Sequence, residues 1–416
     1  MNPKLAMNIK PNMNIKPEKT PSVFILNLSY TGLGIARSFV GTGIRVYGLG
    51  SKKWICGNYS RHVNFYYSPD SLTEPEKLYK FLLVLAKKEP QKPVIFPTRD
   101  HDIIFLNNYR EKLAPYFTIA LPVKDTLDIV LDKWKLSEAA SKCNVLIPKT
   151  YLVNGENELR KLSPKIEYPV IMKPLRAADW RKDKIWEIIK RKAIFAPSEK
   201  TLLEEYNKFK HLHPPVLVQE YIEGEDDDIY TFCSYCDTDS NILVSFNTRK
   251  RVQKPEKFGT GIVVQSALNH EITECSKRLL KFIRFTGISE IEYKRDPATG
   301  IYYMIEINPR CWDQHRLSRS FGINLPLIAY HDLIGQSTYV SPFKFQRTTW
   351  IAEDTFIQYF ANALLTDREK LINTLSKLNG SLNYAIWSKD DPLPFLISMA
   401  TMTIDTSKRV IQRMLS

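Results

Sequence analysis

Two carboxylates and an amide, Glu292, Glu306 and Asn308, fall in a pattern that suits a hard divalent cation. They lie in ISEIEYKRDPATGIYYMIEINPR, residues 288–310. This stretch reads as two β-strands, Ser289–Lys294 and Ile301–Ile307, joined by the turn Asp296–Gly300. The second strand is apolar apart from Glu306. Asn308 follows two residues later, so the period of two puts both side chains on one face. Glu292 stands on the partner strand, where a hairpin brings it alongside. Two carboxylates and an amide oxygen converging at a strand end form the oxygen set that Mg²⁺ takes when it also holds substrate phosphates. The competing interpretation is an ordinary hairpin with both glutamates in solvent; buried acids without a cation are costly.

Other residues ask for an anion. Lys173 ends the apolar strand Val170–Met172, and a lysine entering a core there needs a negative partner. The triplet Arg249-Lys250-Arg251 closes the strand Ile242–Phe246, just before the glycine loop Phe258–Gly261. Basic residues also gather between Lys173 and Lys192, and the chain of 416 residues carries a net charge of +14. Such charge suits nucleic acid, an anionic surface or a polyphosphate. No nucleic-acid-binding motif accompanies it, so a phosphorylated small molecule is the economical partner.

These residues must be positioned by a chain long enough for two or three domains. Residues 1–20 hold a proline-punctuated tandem repeat and read as a disordered tail. Val23–Leu26, the turn Ser29–Gly34 into a helix, and Ile44–Gly48 open an α/β nucleotide-type fold. Arg99 and Asp100 follow the strand at Pro93–Phe96, where doubly wound sheets carry ligand residues. Six scattered cysteines suit reduced thiols in a cytoplasm rather than a disulfide framework. Cys233 and Cys236 have a metal-like spacing but no second pair, which argues against zinc. No signal peptide is visible, and no run approaches the length of a membrane-spanning helix. Ile351–Leu375 has helical periodicity, and 391–416 reads as a terminal amphipathic helix.

Taken together, Glu292 with Glu306-Ile307-Asn308-Pro309-Arg310, the strand Tyr168–Pro174 and the run Val216–Gly224 resemble the ATP-grasp superfamily, in its order, over residues 20–340. The run Trp312–His315 is similar to carboxylate–amine ligases related to D-aspartate ligase. The resemblance implies an α/β fold with α+β subdomains. A Rossmann-like pre-ATP-grasp domain would span 21–125 and help form the substrate site without binding ATP. The ATP-grasp domain would span 126–340, divided at 215/216, with a helical extension over 341–416.

It also implies roles. Lys133 and Lys173 would hold ATP phosphates, and Gln219, Glu220, Tyr221 and Ile222 the adenine. Asp226 or Asp228 would take the ribose hydroxyls. Glu292, Glu306 and Asn308 would hold Mg²⁺ or Mn²⁺. Lys250 would meet the γ-phosphate, Arg249 or Arg251 the substrate carboxylate, and Arg310 the acyl phosphate or tetrahedral intermediate. His315 has two readings, a group acting on the incoming amine or a structural histidine. The implied reaction is ATP-dependent phosphorylation of a carboxylate followed by displacement of phosphate by an amine. A silent ATP-binding scaffold and a bicarbonate-activating enzyme are the rival functions. The expected partners are a small carboxylate and amine, without nucleic acid, and a second copy in a homodimer. One departure stands out: no glycine follows Lys173-Pro174 in Leu175–Arg181. The basic stretch 175–192 is therefore expected to close over the triphosphate with side chains.

Overall fold

The first strand is apolar at every position because a parallel strand is covered on both faces. The computed structural model describes residues 20–176, 179–182, 185–338, 340 and 344–403. Strands β1 (Val23–Leu26), β2 (Val46–Gly50), β3 (Asn64–Tyr67), β4 (Val94–Phe96) and β5 (Thr118–Ile119) form a parallel sheet in the order β3-β2-β1-β4-β5. The chain leaves β1 toward β2 and returns on the other side as β4. That reversal opens a crevice at the carboxyl ends of β1 and β4. Ser29 and Thr31 follow β1 there, and Thr98–His101 follow β4.

A four-stranded antiparallel sheet comes next, in the order β6-β9-β7-β8. Its strands are β6 (Thr150–Val153), β7 (Val170–Pro174), β8 (Ile194–Ala196) and β9 (Val216–Glu220). Helices 156–162 and 199–207 cover it, with Trp180, Tyr206 and Phe209 in a separate small core.

The largest sheet has the order β14-β13-β10-β11-β12-β15-β16. Its members are β10 (Ile229–Cys236), β11 (Ile242–Lys254), β12 (Thr260–Ala267), β13 (Gly287–Arg295), β14 (Tyr302–Asn308), β15 (Thr348–Ile351) and β16 (Ser381–Tyr384). The last two correct the expectation of a purely helical C-terminal extension. β15 pairs antiparallel with β12, and β16 runs parallel to β15, so residues past 340 extend the sheet. The helices expected over 351–375 are present as Glu353–Thr366 and Arg368–Ser376. A further helix covers 393–403; the rest of the expected terminal helix lies outside the described residues.

The first helix, Tyr30–Ser38, ties these parts together. A Cβ on Gly34 would lie 2.5 Å from Cε1 of His315, so glycine lets the helix seat on the 315–321 turn. From its last turn, buried Arg37 pairs with buried Asp391 at 2.9 Å and donates to the Ile386 carbonyl. The glycines of the first turn thus serve packing.

Candidate functional site

The three sheets surround one cavity of about 860 Å³. Its wall at the small sheet carries Lys173, Gln219, Glu220, Tyr221 and Ile222. β7 and β9 are antiparallel neighbours, with Ile171 opposite Gln219, so these side chains share one region. Lys173 Nζ donates to Gln219 Oε1 at 2.6 Å, and Gln219 Nε2 donates to Thr150 Oγ1 at 2.7 Å. The Gln219 side chain therefore orients Lys173 instead of being free for adenine, as expected from the sequence. Burial, and secondarily Lys133, push the Lys173 ammonium down to about 7, with Glu306 opposing. Lys133 lines the same cavity at the start of the helix Lys133–Lys142, whose cap Asp132 accepts from the Trp134 and Lys135 amides. Phe258 and Lys257 face Tyr221 from the loop after β11, Lys257 Nζ lying 5.9 Å from the ring centre.

The β13–β14 hairpin forms as expected, with Glu292 opposite Glu306. Sequence reasoning missed Glu290, which stands opposite Asn308 and accepts its amide at 3.1 Å. The alternation that linked Glu306 to Asn308 links Glu290 to Glu292 just as well. Burial, then Glu292, pushes the Glu290 carboxyl up to about 8. Lys250 reaches in from β11 and donates to Glu292 at 2.6 Å. Burial pulls its pKa down, but Glu292, Glu290 and Glu306 outweigh that and raise it. No set of three or more His, Cys, Asp or Glu side chains among the described residues forms a ready cage for a cation. The donors still fit Mg²⁺, which takes one or two carboxylates and fills its shell with phosphate and water. Glu306 has no ion-pair partner among the described residues, while Lys250 neutralises its neighbour.

At the other end the cavity meets the parallel sheet. Arg310 donates through Nε and Nη2 to Asp100 Oδ1 at 3.1 and 2.8 Å. Burial disfavours the guanidinium, yet Asp100 keeps its pKa raised; in turn Arg310, Lys133 and Lys192 hold the Asp100 carboxyl low against its own burial. Thr31 Oγ1 donates to Asp313 Oδ1 at 2.6 Å. Arg99 also lines the cavity, with its guanidinium engaged by Asp102 and Asp70.

Three expected residues lie elsewhere. Arg249 does not line the cavity: its Nε donates to the Asp227 carbonyl and its guanidinium lies 5.0 Å from the Tyr230 ring centre. A bulge after Lys250 shifts the register, and Arg251 lines the cavity instead, donating to Gln265. Asp228 also stays outside; it caps its own turn through the Glu225 amide and pairs with Arg295 at 3.6 Å. Asp226 does line the cavity, its carboxylate taking the amide and side chain of Gln253. His315 is fully buried, bonded through Nδ1 to the Trp312 carbonyl at 2.6 Å and pushed down to about 4 by burial. It is the structural histidine of the two readings.

Of the basic stretch 175–192, Trp180, Trp186, Arg191 and Lys192 line the cavity, Trp180 packing against Phe209 at 5.8 Å. Residues 177, 178, 183 and 184 of that stretch lie outside the described residues. Sequence reasoning did not foresee the wall from the C-terminal helices. Tyr359, Lys370 and Lys377 line the cavity, Lys370 pairing with Glu256 and Lys377 with Asp227 at 3.0 Å.

Comparisons with known proteins agree with this architecture. Residues 132–335 match the family described as carbamoyl-phosphate synthase L chain, ATP binding domain. A D-aspartate ligase of Enterococcus faecium is 22% identical over 301 residues, covering 68% of this chain and 69% of that protein. The biotin carboxylase of Campylobacter jejuni superposes with a TM-score of 0.63 at 18% identity, covering 79% of this chain and 74% of the other. An ADP complex of N5-carboxyaminoimidazole synthetase from Staphylococcus aureus gives 0.62 at 14% identity, with coverages of 87% and 91%. Just under half of the chain thus matches that ATP-binding family, the fold is that of ATP-grasp proteins, and the similarities fall among ligases that use ATP. Among the described residues, no helix is long and apolar enough to cross a membrane.

Proposed function

We propose that the protein phosphorylates a small-molecule carboxylate with ATP and joins the resulting acyl phosphate to an amine of amino-acid type. The observation that carries this is the continuity of one cavity. It runs from the Lys173 and Tyr221 wall, past Glu292, Glu306 and Asn308, to Arg310 and the Thr31–Asp313 contact. A nucleotide seated at the first wall directs its phosphates over the hairpin toward the second.

Lys173 and Lys133 screen the phosphates there. Glu292, Glu306 and Asn308 would hold Mg²⁺, which when bound neutralises the phosphoryl oxygens. Lys250, released from Glu292 toward the γ-phosphate, supplies a further cation at the transferring group. Arg310, half-buried and oriented by Asp100, faces the charge that builds as the acyl carbon turns tetrahedral. Arg191, Lys192 and Trp186 line the cavity beside the phosphates and, by closing over the bound ligands, keep water from the acyl phosphate. Catalysis within the cytoplasm and a homodimeric assembly are parts of the same proposal.

A phosphate-release screen with Mg-ATP, pairing each amino acid and D-aspartate as carboxylate with a panel of amines, tests it. Release that requires both a carboxylate and an amine is expected. Release driven by bicarbonate alone would favour carboxyphosphate chemistry, and no release under any pairing would favour a silent scaffold.

A further inference from the structure

We propose that Asp313, fixed by Thr31, receives the attacking amine in its ammonium form and so selects a cationic primary amine as acceptor. The assignment rests on the ligase reading above and concerns the substrate end of the same cavity.

Several cations along this cavity already face acids: Lys250 faces Glu292, Arg310 faces Asp100, Arg251 and Lys377 face Asp227, and Lys370 faces Glu256, while Lys133 and Lys173 stand at the phosphate wall. Glu290, Glu292 and Glu306 belong to the hairpin that suits the metal. Asp313 is different. It lies three residues past Arg310, in the turn that leaves the hairpin, and it lines the cavity. No Lys, Arg or His nitrogen of the described residues comes within ion-pair distance of it. Its only side-chain bond among the described residues is the one that Oδ1 accepts from Thr31 at 2.6 Å.

Thr31 is only 2% exposed, in the first turn of the Tyr30–Ser38 helix. That helix is held on the catalytic side by the close Gly34–His315 approach. The carboxylate is thus aimed by a rigid element of the other sheet; it feels the charge of Arg310 but has no ion pair among the described residues. An ammonium supplies the missing cation through a charge-assisted hydrogen bond. A hydroxyl or thiol nucleophile gains no such bond. The position also suits the step. Arg310, assigned to the acyl phosphate, lines the same cavity and lies near enough to feel the Asp313 charge, so an amine on Asp313 stands beside the carbon it attacks.

The balance of the step is simple. The ammonium gives one proton through Asp313 to solvent, and its nitrogen lone pair forms the C–N bond. The acyl C–O bond to phosphate breaks, its electron pair leaving with phosphate, which keeps the second proton from nitrogen as hydrogen phosphate.

The test contrasts two small nucleophiles of different charge. Hydroxylamine is largely neutral near pH 7.5, whereas methylamine is a cation. With Mg-ATP and whichever carboxylate among D-aspartate and the proteinogenic amino acids the parent activates best, hydroxamate and methylamide are measured side by side. In Asp313→Asn, which keeps the acceptor oxygen for Thr31, the methylamide-to-hydroxamate ratio is expected to fall roughly tenfold or more, as for a lost charged hydrogen bond. Thr31→Val should lower the same ratio by less. Asp313→Glu should recover part of it. An unchanged ratio in a folded Asp313→Asn protein, or an equal fall in both products, overturns the assignment while leaving the ligase reading intact. No hydroxamate from the parent with any carboxylate overturns the ligase reading, and the assignment with it.

Discussion

At the nucleotide end, Lys173 and Gln219 sit on hydrogen-bonded neighbouring strands, and the residues that follow them line the same wall. At the substrate end, Thr31 meets Asp313 across 282 residues of chain, and Asp100 meets Arg310 across 210. The first end is built from short segments whose local chemistry announces itself: a buried lysine ending an apolar strand, a hinge after another. The second exists only where two sheets meet, and neither side carries a complete site. A wall made by one subdomain can keep one ligand, whereas a seam between domains can change its substrate by altering single residues on either side.

The largest expected effect lies between these ends, at the hairpin they share. Glu306→Gln should reduce turnover nearly to background, because it removes an anionic oxygen donor from a rigid strand and leaves its neighbour Glu292 paired to Lys250. Steady-state rates over a magnesium titration check this; near-normal turnover with unchanged magnesium dependence would remove the hairpin from the metal site.

Next comes the nucleotide wall. Lys173→Ala should weaken ATP binding by about 2 kcal/mol or more, as for a charged hydrogen bond to a desolvated phosphate. The parent adds a signature. With its ammonium held near 7 by burial and by Lys133, Lys173 is largely neutral above that pH in the free protein. Bound phosphate favours the charged form, so ATP binding takes up a proton and weakens as pH rises past about 7. Calorimetry in buffers of different ionisation enthalpy measures the uptake, which the variant should lose. Identical affinity and identical uptake in both proteins would place Lys173 outside the site.

The smallest effect is expected at the seam's packing. Gly34→Ala puts a methyl 2.5 Å from the buried His315 ring and should destabilise the fold by about 1–2 kcal/mol, as overpacking does. Denaturant unfolding reads that loss. The seam model adds that amine KM should rise more than ATP KM; equal changes would mean that the helix supports the whole fold evenly.

Legibility followed the same division. Period-two alternation placed Glu292, Glu306 and Asn308 on one hairpin, and it contained Glu290 as well, a residue passed over although the same rule applied. Lys173 and the 219–222 hinge were readable because their strands are short, apolar and bounded by charge. Arg251 could not be told from Arg249, since one bulged residue decides which of them faces inward. Thr31 and Asp313 were unreadable as a pair, because nothing local relates two polar residues so far apart. The four-residue β15 and β16 were hidden for a similar reason. Each becomes a strand only by pairing with a sheet built from earlier chain.

The buried clasp between Arg37 and Asp391 has a practical consequence. A recombinant fragment stopping near residue 335, where the family match ends, would keep every hairpin ligand yet strip Arg37 of its carboxylate and of the Ile386 carbonyl. An orphaned guanidinium would then lie in the core beside the very helix that presents Thr31. It would also leave β12 as an open edge, an invitation to self-association. Trimming this protein to its recognisable part should yield aggregation rather than a minimal enzyme; the first and last segments of the described chain behave as one foldable unit.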